Sequence, residues 1–273
     1  MHILNSTLKR EFPFIVVEGT EGSGKTTFAK QLVDHINARP YKPYGNWSYL
    51  HFPNNDCPRE HRLENIIDRL DLDPNNKFDI QTAIGVHMVY YMKNCLPGPV
   101  VIDRWFYSNI VYSIYENTDL LSILKWSTAG NLINRITKEE FNTLYIYDIL
   151  DYYGYNCMPN VTFLLNPTDA MVRHTLSTRK KDDVSIMDKY DNDIEGALKI
   201  KEIFSKLFSK NAYNEKCEAV DDRGTMIKFT YNDSYTTTIT YNATDEGDMP
   251  TRYANMTKNA FSYLSHCHLR TDI

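Results

Sequence analysis

Cysteine is sparse and irregular in this chain: Cys57, Cys95, Cys157, Cys217 and Cys267, five in 273 residues, with no C-x-x-C pair. An odd, scattered set excludes a disulfide framework and a cysteine-based zinc site, and it predicts reduced thiols in a cytoplasmic or nuclear compartment. No apolar run is long enough to span a bilayer and no secretory signal pattern is present, so a soluble intracellular protein is expected. Positive charge is also short. With 30 Lys and Arg against 35 Asp and Glu, the formal net charge is −5. No basic–aromatic stripe offsets it, so the expectation is no nucleic-acid partner and no membrane surface. The N-x-S/T sequons at Asn5, Asn46, Asn160, Asn232, Asn242 and Asn255 have no secretory context and reflect only a wealth of Asn, Ser and Thr. Repeats and low-complexity tracts are absent as well. What remains is globular, 42% hydrophobic and 24% charged, at a length that suits one large domain or a domain with insertions.

Glycine is the other scarcity, 11 residues in all, which makes its clustering near the start informative. The stretch Phe14-Ile-Val-Val-Glu-Gly-Thr-Glu-Gly-Ser-Gly-Lys-Thr-Thr-Phe28 contains Gly19-x-x-x-x-Gly24-Lys25-Thr26, the phosphate-cradling P-loop pattern. In a chain so poor in glycine, chance would produce this pattern on the order of once in a few hundred sequences. Its flanks have the required order. Ile15, Val16 and Val17 read as a buried parallel strand, while Phe28, Ala29, Leu32, Val33 and Ile36 recur at helical spacing behind the loop. Backbone N–H groups of Gly19, Thr20, Glu21, Gly22, Ser23 and Gly24, with Thr27 beyond them, would surround a nucleoside triphosphate at the helix N-terminus. Lys25 would reach the β- and γ-phosphates, and the Thr26 hydroxyl would sit on Mg²⁺.

Further along, strands and helices alternate, which predicts parallel strand pairing with helices on both faces of the sheet. Trp47–Phe52 reads as a second strand, Val100–Asp103 as a third, Pro159–Leu165 as a fourth and Cys217–Val220 as a short fifth. Helices are expected over Arg59–Leu70, Phe78–Cys95, Thr168–Ser177, Ile194–Phe208 and Pro250–Cys267, with interrupted helix from Arg104 to Tyr155. Tyr145, Tyr147, Tyr152, Tyr153 and Tyr155 either pack a helix face or form a stacking platform. Thr225–Tyr241, dense in Thr, Tyr, Ile and Phe around Asn232-Asp233-Ser234, reads as a β-hairpin at the periphery. The third strand ends in Asp103-Arg104, at the sheet edge where open α/β folds bind ligands. There an Asp can support a metal and an Arg can grip a phosphate; the plainer reading is an Asp capping the next helix.

These segments together resemble the thymidylate kinase family of P-loop nucleoside monophosphate kinases. The resemblance rests on Glu18–Thr27, on Phe52-Pro53, on Asp103-Arg-Trp-Phe-Tyr-Ser-Asn-Ile-Val-Tyr112, and on Pro159–Leu165 with Pro167 and Arg173, and it spans about residues 12–222. It implies a three-layer α/β/α P-loop kinase fold. The parallel sheet would have five strands in the order 2-3-1-4-5, with a lid over about 173–190. It also implies transfer of the γ-phosphoryl of ATP, with Mg²⁺, to a deoxynucleoside monophosphate, most simply dTMP to dTDP, in a homodimer.

The roles implied by the resemblance run as follows. Glu21 faces the acceptor sugar and Arg104 holds its 5′-phosphate. Asp103 supports the metal with Thr26, while Phe52, Pro53, Ser108 and Tyr112 line the acceptor. Arg173 and Arg179 close over the transferred group with Lys25, the clamp that charge on the γ-phosphoryl oxygens calls for; alternatively Arg179-Lys180-Lys181 is a solvated helix end. Two departures stand out. Ser113 follows Tyr112 where the family usually has Gln, and Phe78–Cys95 lacks the Arg that reads thymine, offering Gln81, His87 and Lys93 instead. Gln81 is either a base reader or a plain surface residue, and His87 reads as a packed side chain. The Phe78–Cys95 helix is either a dimer interface or core. A deoxynucleoside kinase is the alternative, but its hydroxyl acceptor needs a carboxylate poised beside it, which members of that family place at the end of strand two. That position reads His51-Phe-Pro-Asn-Asn55, with Asp56 just beyond. A catalytically silent nucleotide-binding module is the third reading.

Overall fold

The computed structural model describes residues 12–116 except 43, 55, 60–61, 77–78, 81–82, 86, 89–90 and 92–97, then 159–178, 193–209, 215–217, 227–230 and 237–242. The expected features at residues 117–158, the segment 179–192 and the helix expected over Pro250–Cys267 lie outside the described residues.

The centre of the fold is β1 (Phe14–Gly19), buried at every position. An uninterrupted apolar strand of this kind can survive only with both faces covered. It pairs in parallel with β3 (Val100–Asp103) on one side and β4 (Val161–Asn166) on the other, Ile15 lying opposite Val101 and Val161. Outside β3, β2 (Ser48–His51) adds a parallel edge strand that is only partly buried. Strand alternation then sorts side chains between two helical layers. Ile15, Val17, Val101, Val161, Phe163 and Leu165 pack with Phe28, Ala29, Leu32, Val33 and Ile36 of α1 (Lys25–Asn37), Phe28 meeting Phe163 edge-on at 5.4 Å. On the opposite face, Phe14 meets Trp105 at 5.6 Å, where α3 (Phe106–Tyr115) begins against β1.

Two further helices, α4 (Asp169–Thr178) and α5 (Ile194–Ser209), pack together through Val172, Leu176 and Ala197, and α5 also packs on α3. Between β2 and β3, α2 (Leu63–Arg69) buries Ile66 and Ile67 against Ala83. This helix is shorter than the expected Arg59–Leu70, because Arg62 is extended and the chain turns between Arg59 and Arg62. Of the expected Phe78–Cys95 helix, the described residues Ala83, Ile84, His87, Met88 and Tyr91 are buried within the chain, which favours core over interface for them.

The far half of the sheet departs from expectation in detail. Beyond β4 stand Thr237–Asn242 (β7), Ile227–Thr230 (β6) and Glu215–Cys217 (β5), giving the strand order β2-β3-β1-β4-β7-β6-β5. Five strands run parallel, as expected, but the fifth is β7 (Thr237–Asn242) rather than Cys217–Val220. The latter region gives β5 (Glu215–Cys217), which pairs antiparallel with β6 (Ile227–Thr230) at the sheet margin. The hairpin expected over Thr225–Tyr241 forms as β6 and β7, yet it extends the main sheet to seven strands instead of lying apart from it. The reason is pairing: β4 presents a full row of unshared backbone groups, and β7 satisfies them over six residues, Val161 to Asn166 against Thr237 to Asn242.

Candidate active site

Three strand ends converge at one margin of the sheet. β1 runs into the loop Gly19–Gly24, and Gly24 closes it in a left-handed conformation (φ 84°) as the N-cap of α1, with no side chain capping the helix. No acidic residue stands in the first turn of α1. Its leading N–H groups and the positive end of the helix are thus left for an anion. Gly19 admits no side chain: its φ is 146°, and a Cβ would lie 2.6 Å from the Leu165 carbonyl oxygen of β4. Thr20 ties the loop to α5 by donating its hydroxyl to the Ala197 carbonyl at 2.5 Å. The Lys25 ammonium is buried and donates to the Thr20 carbonyl at 2.7 Å. Burial pushes its pKa below the ordinary lysine value, although nearby Glu21 pulls it up.

At the end of β3, Asp103 is fully buried. Its Oδ2 accepts from the Thr26 hydroxyl at 2.6 Å and the Tyr49 hydroxyl at 3.1 Å, and His51 Nδ1 lies 3.2 Å away. Burial would raise this carboxyl, but His51, Lys25 and Arg104 hold it below the usual range. All three neighbours converge on Oδ2, and the buried Oδ1 has no hydrogen-bond partner. A hydroxyl beside a carboxylate with one open oxygen suits a hard divalent cation. Among the described residues no three His, Cys, Asp or Glu groups cluster as a metal cage. A cation here would take its other ligands from phosphate oxygens and water, the usual habit of Mg²⁺.

Arg104 follows directly, at φ 72°. Its guanidinium pairs with Glu21 of the loop, and Tyr112 from α3 donates to the same Glu21 oxygen at 2.7 Å. The pair is enclosed, with side-chain exposures of 17% and 6%. Burial would raise the Glu21 carboxyl, but Arg104 and Lys25 outweigh it and hold the group well below the carboxylate range. Burial likewise works against the Arg104 charge, and Glu21 more than offsets it.

Of the expected site residues, the fold brings together Glu21, Lys25, Thr26, Asp103, Arg104 and Tyr112. Others stand elsewhere. Phe52 is 1% exposed, edge-on to His87 and Tyr91 and beside Trp105. His87 is buried as expected, its Nε2 accepting from the Asn54 backbone at 3.0 Å. Ser108 donates its hydroxyl to Glu18 at 2.5 Å instead of facing open space. Arg173 pairs with Glu195 of α5 at 2.7 Å on the outer surface, and Asp56 is exposed. Gln81 and Arg179 lie outside the described residues.

Sequence reasoning passed over Glu18 and Tyr49. Glu18 is a carboxyl inside a strand otherwise made of apolar residues and glycine, and that oddity was a readable signal. It accepts from the Trp105 backbone at 2.7 Å and the Ser108 backbone at 3.3 Å. Burial pushes its pKa up to about 7, against the lowering effect of these hydrogen bonds. Tyr49 carried no signal beyond strand propensity.

No protein-family model matches the chain, and no curated protein matches it by sequence. Similarity appears at the level of structure. A thymidylate kinase from Candida albicans aligns over 93% of this chain and 92% of its own at 13% identity, with a TM-score of 0.52. A deoxyadenosine kinase from M. mycoides aligns over 92% and 99% at 14% identity, with a TM-score of 0.48. No described helix is long and apolar enough to cross a membrane. The chain has the three-layer P-loop kinase fold of the Candida enzyme, a parallel sheet flanked by helices with a glycine loop at the end of its central strand.

Proposed function

We propose that this protein is a nucleotide kinase that transfers the γ-phosphoryl group of ATP to the 5′-phosphate of a deoxynucleoside monophosphate, dTMP first among them. The observation that carries this reading is the meeting of Arg104, the residue after β3, with Glu21 of the glycine loop, beside Asp103 and Thr26. An anion-gripping arginine and a cation-supporting carboxylate thereby stand next to each other, both within electrostatic reach of Lys25. A phosphate acceptor is already an anionic nucleophile and needs no general base. The described end of β2 fits that requirement, since it offers His51, Phe52 and Pro53 and leaves Asp56 exposed.

In this reading the loop N–H groups and Lys25 bind the triphosphate, the lysine turning its ammonium from the Thr20 carbonyl to phosphate oxygens. Thr26 and Asp103 would hold Mg²⁺, which would supply neutralisation of phosphate charge. Arg104 grips the acceptor phosphate with two parallel donors. Glu21 keeps the guanidinium in place, and Tyr112 keeps Glu21 in place. Arg173 and Arg179 are proposed to close on the transferred group, a move the exposed Arg173–Glu195 pair would oppose only weakly.

The test is a coupled assay with Mg-ATP and dTMP, dUMP, dCMP or dGMP, set against thymidine and deoxycytidine. Turnover with monophosphates and none with nucleosides is the expected result; the reverse pattern assigns a deoxynucleoside kinase, and ATP binding without any turnover a silent module. Lys25→Ala is expected to lower kcat at least about 100-fold, the scale of losing one charge-stabilising donor.

A further inference from the structure

Arg104 has an unusual backbone. At φ 72° it occupies the left-handed region, which a long side chain adopts only when its surroundings over-determine it. The surroundings here are two consecutive residues of β1. The Arg104 N–H donates to the Val17 carbonyl at 3.1 Å, and the next N–H, of Trp105, donates to the Glu18 carboxyl at 2.7 Å. The same carboxyl takes the Ser108 N–H at 3.3 Å and the Ser108 hydroxyl at 2.5 Å. It therefore caps the start of α3 from below, where no side chain of the helix's own N-cap, Trp105, does so. Glu18 is wholly buried, and its hydrogen bonds go to Trp105 and Ser108, while Lys25 acts on it only through charge. The phosphate-binding reading gives it no task.

We propose that Glu18 is a positioning residue: by capping α3 it holds the Asp103–Trp105 turn so that Arg104 keeps its left-handed conformation and its guanidinium stays aimed at the acceptor phosphate. The inference rests on the reading that Arg104 takes that phosphate. Lys25 and the loop N–H groups belong to α1 and its entry, whereas Arg104 and Tyr112 belong to the entry and body of α3. Loosening the α3 cap thus falls first on the acceptor side of the site, and reaches the donor side only through Asp103 and the smaller charge interaction of Glu18 with Lys25. A general loss of folding quality would fall on both.

Three variants separate these outcomes. Glu18→Ala removes the cap; Glu18→Asp keeps the charge but falls one methylene short; Glu18→Gln keeps an acceptor for the two N–H groups and a donor for the Ser108 hydroxyl. For the Ala and Asp variants the acceptor KM is expected to rise about 10-fold or more with the ATP KM within about 3-fold. Glu18→Gln is expected to bring the acceptor KM back toward the wild-type value. In an Arg104→Ala background, Glu18→Asp is expected to add no further loss of acceptor binding by calorimetry. Equal rises in both KM values, or full additivity with Arg104→Ala, overturn the proposal. A crystal structure of Glu18→Asp decides independently of any turnover. Arg104 still at positive φ and still paired with Glu21 overturns it, and a relaxed Arg104 supports it. Failure of the kinase reading would appear separately, as wild-type protein that turns over no monophosphate.

Discussion

Two carboxyl groups three residues apart, one under α3 and one at the mouth of the glycine loop, are both buried and yet titrate in opposite directions. Glu18 faces mainly dipoles, the N–H groups of Trp105 and Ser108 and one hydroxyl, with Lys25 a lesser influence, and burial prevails, leaving it near 7. Glu21 faces full charges, Arg104 and Lys25, and these prevail over the same burial, leaving it ionised far into acid. Hydrogen bonds from neutral donors return only part of what an ion loses on leaving water, whereas a buried cation in contact returns more. The first environment suits a structural anchor and the second a fixed electrostatic clamp.

The comparison can be broken at Arg104. Arg104→Ala leaves Glu21 buried with only Lys25 and the Tyr112 hydroxyl to offset it, and breaking a buried pair by removing one partner costs about 3–5 kcal/mol. Urea denaturation is expected to show that loss. Replacing both partners with apolar residues, Arg104→Met with Glu21→Leu, is expected to restore most of it. A loss below about 1 kcal/mol for the single variant would mean the pair is solvated.

It can be sharpened through pH. Because the folded pKa of Glu18 (about 7) lies above the ordinary glutamate value of 4.5, the folded state binds its proton more tightly. Its contribution is fully present below about pH 4.5 and is lost as pH rises through about 7, roughly 3 kcal/mol in all. Glu21 has the opposite sign: its contribution is present above the unfolded carboxylate range and is lost as pH falls. Glu18→Gln cannot ionise, so its stability is expected to gain on wild type between pH 5 and 8, by up to that amount. Unfolding midpoints at both pH values check this, and an equal wild-type and variant slope would place Glu18 in a wetter setting.

The smallest effect is expected at the outer pair. Glu195→Ala removes the partner of Arg173, but exposures of 51% and 69% put the pair in high dielectric. The stability change should stay under about 1 kcal/mol and shrink further in salt. A larger change would mean that α4 and α5 depend on this contact, and not chiefly on Val172, Leu176 and Ala197.

Much of the site was legible because the chemistry is local. The glycine loop, Lys25 and Thr26 lie in one stretch, and Asp103 with Arg104 ends a strand whose apolar run marks it as buried. The pairing of Glu21 with Arg104 was not legible: resemblance gave Glu21 the acceptor sugar and Arg104 its phosphate, and 83 residues separate the two. Glu18 was missed although its chemistry was visible, because a lone carboxyl in a strand does not say which helix it will cap. Ser108 and Phe52 were assigned to an acceptor surface, and both turned inward because larger demands claimed them: a buried carboxyl needing a donor, and an aromatic floor needing a ring.

The sequence by itself determined the elements and their order: a central apolar strand, the anion-binding turn that follows it, and an alternation of strands and helices that forces parallel pairing. Local propensity also determined the β6–β7 hairpin. Only the tertiary structure decided which strand stands beside β4, because Thr237–Asn242 and the region around Cys217 both read as short strands, and only backbone pairing chooses between them. It likewise decided the charge states of Glu18 and Glu21. Those depend on which groups lie within a few ångströms after folding, a distance that sequence separation does not encode.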